Sequence, residues 1–348
     1  MTVIVPMDLL DPAGEPRARE WLGVYAAVQH DLFGDRGSVW TLPELQEFHR
    51  APEKRRSAFG AVVDGSVVGA VEVIETLRDN LDSATIWLAV RPEHRGHGLG
   101  TALLERAERV AADGGRTVLM AETEWLADRT DEGASFATRH GYAVGQTNLR
   151  SDLALPRDVA ELTRLRHGGE ATDLGGPPAY SIESVAGMPP AAWLDDVAEL
   201  NRRMSTDAPL GELALEEEDW DAERVRLAVQ RLLDAGRTLL TSVARERASG
   251  HLVGFTEMGI SAGTPDLAHQ GSTLVLKEHR GHRIGLRLKA ANTLAVMELL
   301  PAVTRVRTWN ADDNVHMLGV NRRLGYVVDA FERVWQKRAW VAAIACRS

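Results

Sequence analysis

The sequence predicts an α/β protein with a mixed α+β sheet, built as two tandem copies of one domain, each a mixed central sheet flanked by helices. Three observations lead there. Glu93-His94-Arg95-Gly96-His97 returns as Glu278-His279-Arg280-Gly281-His282, and each copy is followed by an aliphatic residue and a glycine, Leu99-Gly100 and Ile284-Gly285. Other landmarks keep the 185-residue spacing of Arg95 and Arg280: Gly65 and Gly250, Gly69 and Gly254, Glu72 and Glu257, Val90 and Val275, with Gly141-Tyr142 returning as Gly325-Tyr326 at 184. Strand-like and helix-like periodicities follow one another in the same order in both halves. The expected boundaries are residues 1–155 and 180–348, with a linker at 156–179.

Composition bounds the reading. A chain of 348 residues is long enough for two full cores. The formal net charge of −10 argues against nucleic acid as a partner, because phosphate-neutralising domains carry a concentrated basic excess. It suits a cationic ligand, and equally plain solubility. Cys346 is the only cysteine, so no internal disulfide and no cysteine metal cluster can form, and a reducing compartment is expected. The N-terminus lacks a basic region followed by a long apolar run, and no apolar stretch reaches spanning length. The expectation is a cytoplasmic protein with no membrane partner and no metal.

In the first copy Val3-Ile4-Val5 reads as a strand, and Pro16 to Asp31 as a helix with Trp21, Leu22, Tyr25 and Val28 at helical spacing. Thr41 to Arg56 is a helix with a charged loop behind it. Phe59–Val63 and Val67–Ile74 form a hairpin around Asp64-Gly65, which supplies the positive φ of a two-residue turn. A strand from Ala84 to Val90 leads through Glu93–Gly98 into a helix from Leu99 to Ala112, whose Leu99, Leu103, Ala107 and Val110 share a face and which Gly114-Gly115 stop. Thr117–Ala121 is a strand, Gly133–His140 a short helix, and Gly141–Val144 opens the last strand.

Between the copies, Val159–Arg166 is helical and Gly175-Gly176-Pro177-Pro178 breaks structure. The second copy then reads as strand Tyr180–Val185, helix Ala191–Met204, acidic loop and helix Leu213–Ala235, hairpin Thr238–Glu257, strand Ser272–Leu276, helix Ile284–Leu299, strand Arg305–Trp309, helix Asn314–Leu324 and a strand from Val327 to about Trp340.

A loop that ends at a helix N-terminus offers backbone N–H groups and a positive dipole end, suited to phosphate oxygens. Glycine lets the backbone approach the anion, and Arg95 and His97 add donors. The alternative is a tight turn that needs glycine for geometry alone. The pattern Arg95-x-x-Gly98-x-Gly100, after a strand ending Val90-Arg91-Pro92, resembles the acetyl-CoA signature of the GCN5-related N-acetyltransferases (GNAT superfamily). The duplicated order extends the resemblance over nearly the whole chain, most like the actinobacterial two-domain type of which mycothiol synthase is an example. The resemblance implies acetyl-CoA as co-substrate and a small-molecule amine as acceptor. It implies CoA contacts at Val90, Arg95, Gly96, His97, Gly98, Leu99, Gly100 and Thr101 in the first copy, and at Val275, Arg280, Gly281, His282, Arg283, Ile284 and Gly285 in the second.

The copies differ in ways that matter to chemistry. Arg283 stands where the first copy has Gly98, either contacting phosphate or crowding the cradle. The tyrosine that family members often use as general acid is replaced by Ala137 and Asn321. A thiolate with a pKa near 8.5 is a tolerable leaving group without full protonation, so turnover remains feasible. An amine acceptor must lose a proton, and Glu257, or Glu72 in the first copy, is the candidate base. An acid amid the apolar neighbours of Leu252–Met258 is costly to bury without a role, although outward-facing alternation is an equal reading. Backbone amides near Leu274–Leu276 would meet the oxyanion. Asp207, Trp309, Asn310 and Asn314 are candidate acceptor contacts, the asparagines serving equally as turn and cap residues. Catalysis is expected in the second copy. The alternatives are activity in the first copy, or an acyl-CoA-binding sensor or structural module without turnover.

Overall fold

The structure is a computed structural model that describes residues 3–168, 179–207, 209 and 211–338. The Gly175–Pro178 breaker, Cys346 and the end of the expected last strand at Trp340 lie outside the described residues. In chain order the elements are β1 (Val3–Met7), α1 (Glu15–Phe33), α2 (Leu42–Arg50), β2 (Lys54–Val63), β3 (Ser66–Thr76), β4 (Ser83–Val90), α3 (Leu99–Asp113), β5 (Val118–Leu126), α4 (Ala134–Arg139), β6 (Ala143–Ala154) and α5 (Val159–Arg166). They continue with β7 (Tyr180–Ala186), α6 (Leu194–Asp207), α7 (Ala222–Asp234), β8 (Thr238–Glu246), β9 (Leu252–Ile260), β10 (Leu267–Val275), α8 (Ile284–Leu299), β11 (Arg305–Ala311), α9 (Val315–Leu324) and β12 (Val327–Arg338). The fold is the mixed α/β arrangement that the repeat predicts.

Two compact units form, and neither is one continuous stretch of chain. The first comprises Met1–Asn148, Gly211–Leu215 and Ala330–Ser348, and the second Leu149–Leu210 and Glu216–Asp329. Strand order in the first unit is β1-β2-β3-β4-β5-β12, and in the second β6-β11-β10-β9-β8-β7. Each copy therefore lends its last strand to the other's sheet. In the first unit, Ala330–Arg338 run antiparallel to Leu126–Val118. Trp335 of β12 enters the core there, 3% exposed among Leu103, Leu104 and Leu119, and its indole N–H donates to Thr123 Oγ1 at 2.8 Å.

Within the first unit, α1 and α2 cover one face of the sheet through Trp21, Val24, Leu42 and Leu45, while α3 covers the other through Leu99, Leu103 and Ala107. Thr41 and Glu44 form a capping box that starts α2. In the second unit, α6 and α7 pack Trp193, Val197, Leu200 and Val225 on Phe255 and Leu274; α5 and α8 pack Leu162, Leu165, Leu286 and Ala290 on Met258, Ala268 and Val306. Burial at about 25 cal/mol per Å² of apolar surface drives both cores.

Several boundaries move. The acidic loop and helix expected over Leu213–Ala235 are both present: the helix begins at Ala222, where the Asp221 carboxylate accepts from Arg224 N–H at 2.7 Å and caps it. The acidic run Glu216–Asp219 stays a loop, and Arg202 binds Glu217 from α6 at 2.9 Å. Ala191–Trp193 is a 3-10 turn ahead of α6, and β10 begins at Leu267 instead of Ser272.

Replacing Trp335 by Ala should cost about 3–5 kcal/mol of first-unit stability, the usual range for a buried tryptophan. Urea unfolding measures the loss, and hydrogen exchange should show it in β5, more than two hundred positions away in sequence.

Candidate active site

The site in each unit starts from two parallel strands that part. In the first unit β4 and β5 pair only from Ser83↔Val118 to Ile86↔Ala121. In the second, β10 and β11 pair only from Leu267↔Arg305 to His269↔Arg307. Beyond the last rung each strand leaves its neighbour and runs into the loop that opens a helix, α3 or α8.

The two loops share one backbone. Gly96 and Gly98 have φ of 80° and 79°, and Gly281 and Arg283 have 87° and 56°. Left-handed residues at both positions reverse the chain into the helix, a conformation that glycine adopts freely and an L-side chain does not. A Cβ added at Gly96, Gly98 or Gly281 would meet nothing within 4 Å, so the space over these amides is open. The first turns of α3 and α8 hold no acidic residue and no side-chain cap. Their leading N–H groups therefore remain without intrahelical partners under a positive dipole end. This cradle fits a pyrophosphate in both units.

The loop arginines are held the same way twice. Arg95 donates from Nε to Val90 O at 3.4 Å and pairs with Asp31 at 3.0 Å, while Arg280 donates to Val275 O at 3.0 Å and pairs with Asp207 at 3.2 Å. Asp207 also binds Lys277 at 2.9 Å, and its side chain is 3% exposed. It thus ties two basic residues of the loop. Arg283 neither collapses the turn nor breaks it: its guanidinium donates to Gly168 O at 3.3 Å. Thr101, in the first turn of α3, bonds His140 at 3.2 Å, and His282 packs its ring against Tyr180. Leu99 and Ile284 are buried beneath the loops, Gly285 has open space over its Cα, and His97 is exposed.

The candidate bases differ more. Glu72 is fully buried between Arg56, at 3.0 Å, and His49, whose Nε2 lies 2.6 Å from the carboxylate. Stacked Trp40 and Trp87, 4.5 Å apart, close over Arg56, and Tyr25 donates to Trp87 O. Glu257 occupies the matching place on β9, half-buried, with no ion pair; burial pushes its carboxyl up to about 7. It faces a β-bulge. Gln270 pairs with Met258 and Thr273 with Thr256, so Gly271 and Ser272 stand opposite Glu257 alone. The register of β3 with β4 has no such break from Gly69↔Val90 to Glu75↔Ala84. Leu276 N–H donates to Val253 O at 2.9 Å, and Leu274 and Val275 pair with β9. Leu276 N–H is thus engaged, whereas alternation along the strand turns the Val275 N–H away from β9, and of the expected oxyanion donors it remains the candidate.

On β11, Trp309 packs edge-on against His269, and its indole N–H is buried without a hydrogen bond. Asn310 accepts from Asn321 Nδ2 at 2.7 Å. Asn314 caps α9 by accepting from Met317 N–H at 3.2 Å. Sequence reasoning missed three groups. Glu122 on β5 reaches solvent yet is walled by protein; that crowding, with the nearby Glu124 charge, pushes it up to about 7. The bulge left no sequence signal beyond Gly271. Lys289, inside α8 and 1% exposed, is drawn down to about 7 by burial. Its signal was present: a lysine amid Leu288, Ala290 and Ala291. Among the described residues no cluster of three or more potential metal ligands occurs, and no helix is long and apolar enough to cross a membrane.

Comparison with known proteins accounts for this geometry. Residues 23–142 match the acetyltransferase (GNAT) family. A solved tandem GNAT protein from the clavulanic acid biosynthesis pathway, without AcCoA, is similar at 25% identity and TM-score 0.76, over 98% of this chain and 99% of that one. A GCN5-related N-acetyltransferase from Sphaerobacter thermophilus shares the fold at 18% identity and TM-score 0.62, over 97% and 95%. No curated protein matches the chain.

Two outcomes follow from the local physics. Arg283→Gly should raise second-unit stability by up to about 1 kcal/mol, since the left-handed cost of a side chain outweighs glycine's entropy, and Gly98→Arg should lower the first unit's by a similar amount. Thermal unfolding of both variants checks this. The folded protein holds the Glu257 proton between about 4.5 and 7 while the unfolded chain has lost it, so stability falls as pH rises through that window. Glu257→Gln should therefore unfold at a higher temperature than wild type at pH 8, by about 1–3 kcal/mol, and show no gain at pH 4.

Proposed function

We propose that this chain, whose residues 23–142 match the acetyltransferase (GNAT) family and whose fold is similar to that of a tandem GNAT protein, is an N-acetyltransferase that moves an acetyl group from acetyl-CoA to a small amine in its second unit. One observation carries the choice of unit. Glu257 lies opposite the Gly271–Ser272 bulge with its carboxyl near neutrality, whereas Glu72 is clamped by Arg56 and His49 beside an unbroken ladder.

Acetyl-CoA supplies an activated acyl group. Gly281, Arg283 and the first amides of α8 hold its phosphates, with Arg280 keeping the loop in shape through Asp207 and Val275. Glu257 accepts the proton that the amine must shed before attack, and a carboxylate poised near 7 is matched to that task at neutral pH. The Val275 N–H, turned away from β9 by strand alternation, would meet negative charge developing at the acyl carbonyl. Trp309 and Asn310, beyond the last rung on β11, line the same opening.

The first unit supports a second reading, acyl-CoA binding without turnover. Its loop keeps both glycines, but Glu72 is enclosed by Arg56 and His49 and Tyr25 already donates to the Trp87 carbonyl.

Release of free CoA should be measured with acetyl-CoA and a broad panel of amines. Glu257→Gln should lower kcat about 10²- to 10⁴-fold with at least one amine that wild type acetylates, with a smaller effect on KM. Equal turnover by Glu257→Gln and wild type rejects the assignment of the base.

A further inference from the structure

Lys289 is the more deeply buried of two charged residues on α8, the other being Arg287, that the reaction scheme leaves unused. Its ammonium, 1% exposed, has no carboxylate partner among the described residues; it donates to Asn321 Oδ1 at 2.6 Å and lies 5.1 Å over the Tyr326 ring. A buried cation without a counter-ion is costly, and apolar residues would fill the space more cheaply.

The hydrogen-bond chain that starts at Lys289 has only one direction. As an ammonium the lysine has three donors and no acceptor, so the Asn321 atom facing it is the oxygen. Asn321 then turns its Nδ2 to Asn310, at 2.7 Å, and the Asn310 atom that receives it is again the oxygen. Asn310 is left with its own Nδ2 turned away from this chain, and that nitrogen has no protein partner among the described residues. Amide orientations are otherwise interchangeable in shape, and a fixed donor at one end removes the ambiguity. Asn310 lies three residues past the last β10–β11 rung, on the strand that borders the opening into which the α8 loop leads.

We infer that Lys289, acting through Asn321 as a positioning residue, makes Asn310 Nδ2 a fixed hydrogen-bond donor for an accepting atom of the acyl-CoA arm in the β10–β11 opening of the second unit. This rests on the reading of that unit as an acyl-CoA site. The wire explains why asparagine, with both a donor and an acceptor, sits at position 321: it passes the polarity of a cation to a neighbour 11 residues away in sequence.

Coenzyme A titrated calorimetrically into the full chain at pH 6, where Lys289 is mostly an ammonium, tests the inference. Gly285→Glu places a carboxylate in the first turn of α8, where nothing crowds it, and identifies the share of binding that belongs to the second unit. Asn310→Asp keeps the bond from Asn321 but presents an oxygen in place of the donor, and should weaken that share about tenfold or more. Lys289→Met should weaken it several-fold while unfolding at the same or a higher temperature, which a purely structural role would not produce. If Gly285→Glu abolishes the second-unit component while Asn310→Asp leaves it unchanged, the inference falls and the acyl-CoA reading stands. If Gly285→Glu removes no component, both fall.

Discussion

In each unit one pair of parallel strands is hydrogen-bonded for only three or four rungs, Ser83–Ile86 with Val118–Ala121 and Leu267–His269 with Arg305–Arg307, and then the backbones separate. The separation leaves an opening lined by backbone between two strands, at the end of which a left-handed turn starts a helix. The turn has to be held because its amides are useful only while they point one way. Both units hold it with an arginine that bonds the last strand carbonyl and an aspartate of the first large helix, Arg95 with Asp31 and Arg280 with Asp207. Exposed pairs contribute little to stability. Their value here is positional, and the nearly buried Asp207 carboxylate, shared by Arg280 and Lys277, makes the second-unit tie the firmer.

The same framework carries opposite electrostatics in the two units. Around Glu72 the first unit satisfies a buried carboxylate with Arg56 and a histidine, then seals the group with Trp40 and Trp87. Both sides of that carboxylate are thus occupied by protein groups. The second unit leaves Glu257 uncompensated and instead breaks the ladder opposite it, so the cost of desolvation appears as proton affinity. Elsewhere the second unit pays for buried charge conventionally: Arg307 and Arg150 are each 1% exposed and bind Asp152 and Asp329 in near-bidentate geometry. Glu257, Lys289 and Arg287 are exceptions to that habit, with no ion pair among the described residues.

Much of the fold was legible in the sequence. A repeated pentapeptide and a constant spacing imply a duplicated sheet-and-helix unit, Asp64-Gly65 implies its hairpin, and α5 and α8 begin and end where their patterns do. Conformational punctuation of this kind is local, set by glycine, proline and capping residues, and so it is written in order along the chain. The candidate site was legible at the loops for the same reason, since left-handed turns and helix starts are local. The ion pair of Asp207 to Arg280, 73 positions away, was not legible because it leaves no local mark.

By itself, then, the sequence determined the duplication, the mixed α/β class, the two phosphate-type loops and the pairing of Glu72 with Glu257, because each depends on residue identity and spacing. The tertiary structure decided what each of those residues has become. The exchange of β6 and β12, the bulge at Gly271–Ser272, the clamp on Glu72 and the Lys289–Asn321–Asn310 wire all depend on which backbone or side chain arrives from a distant segment. Hydrogen-bond register and desolvation are properties of that arrival, and two glutamates at equivalent positions diverge because their neighbours do.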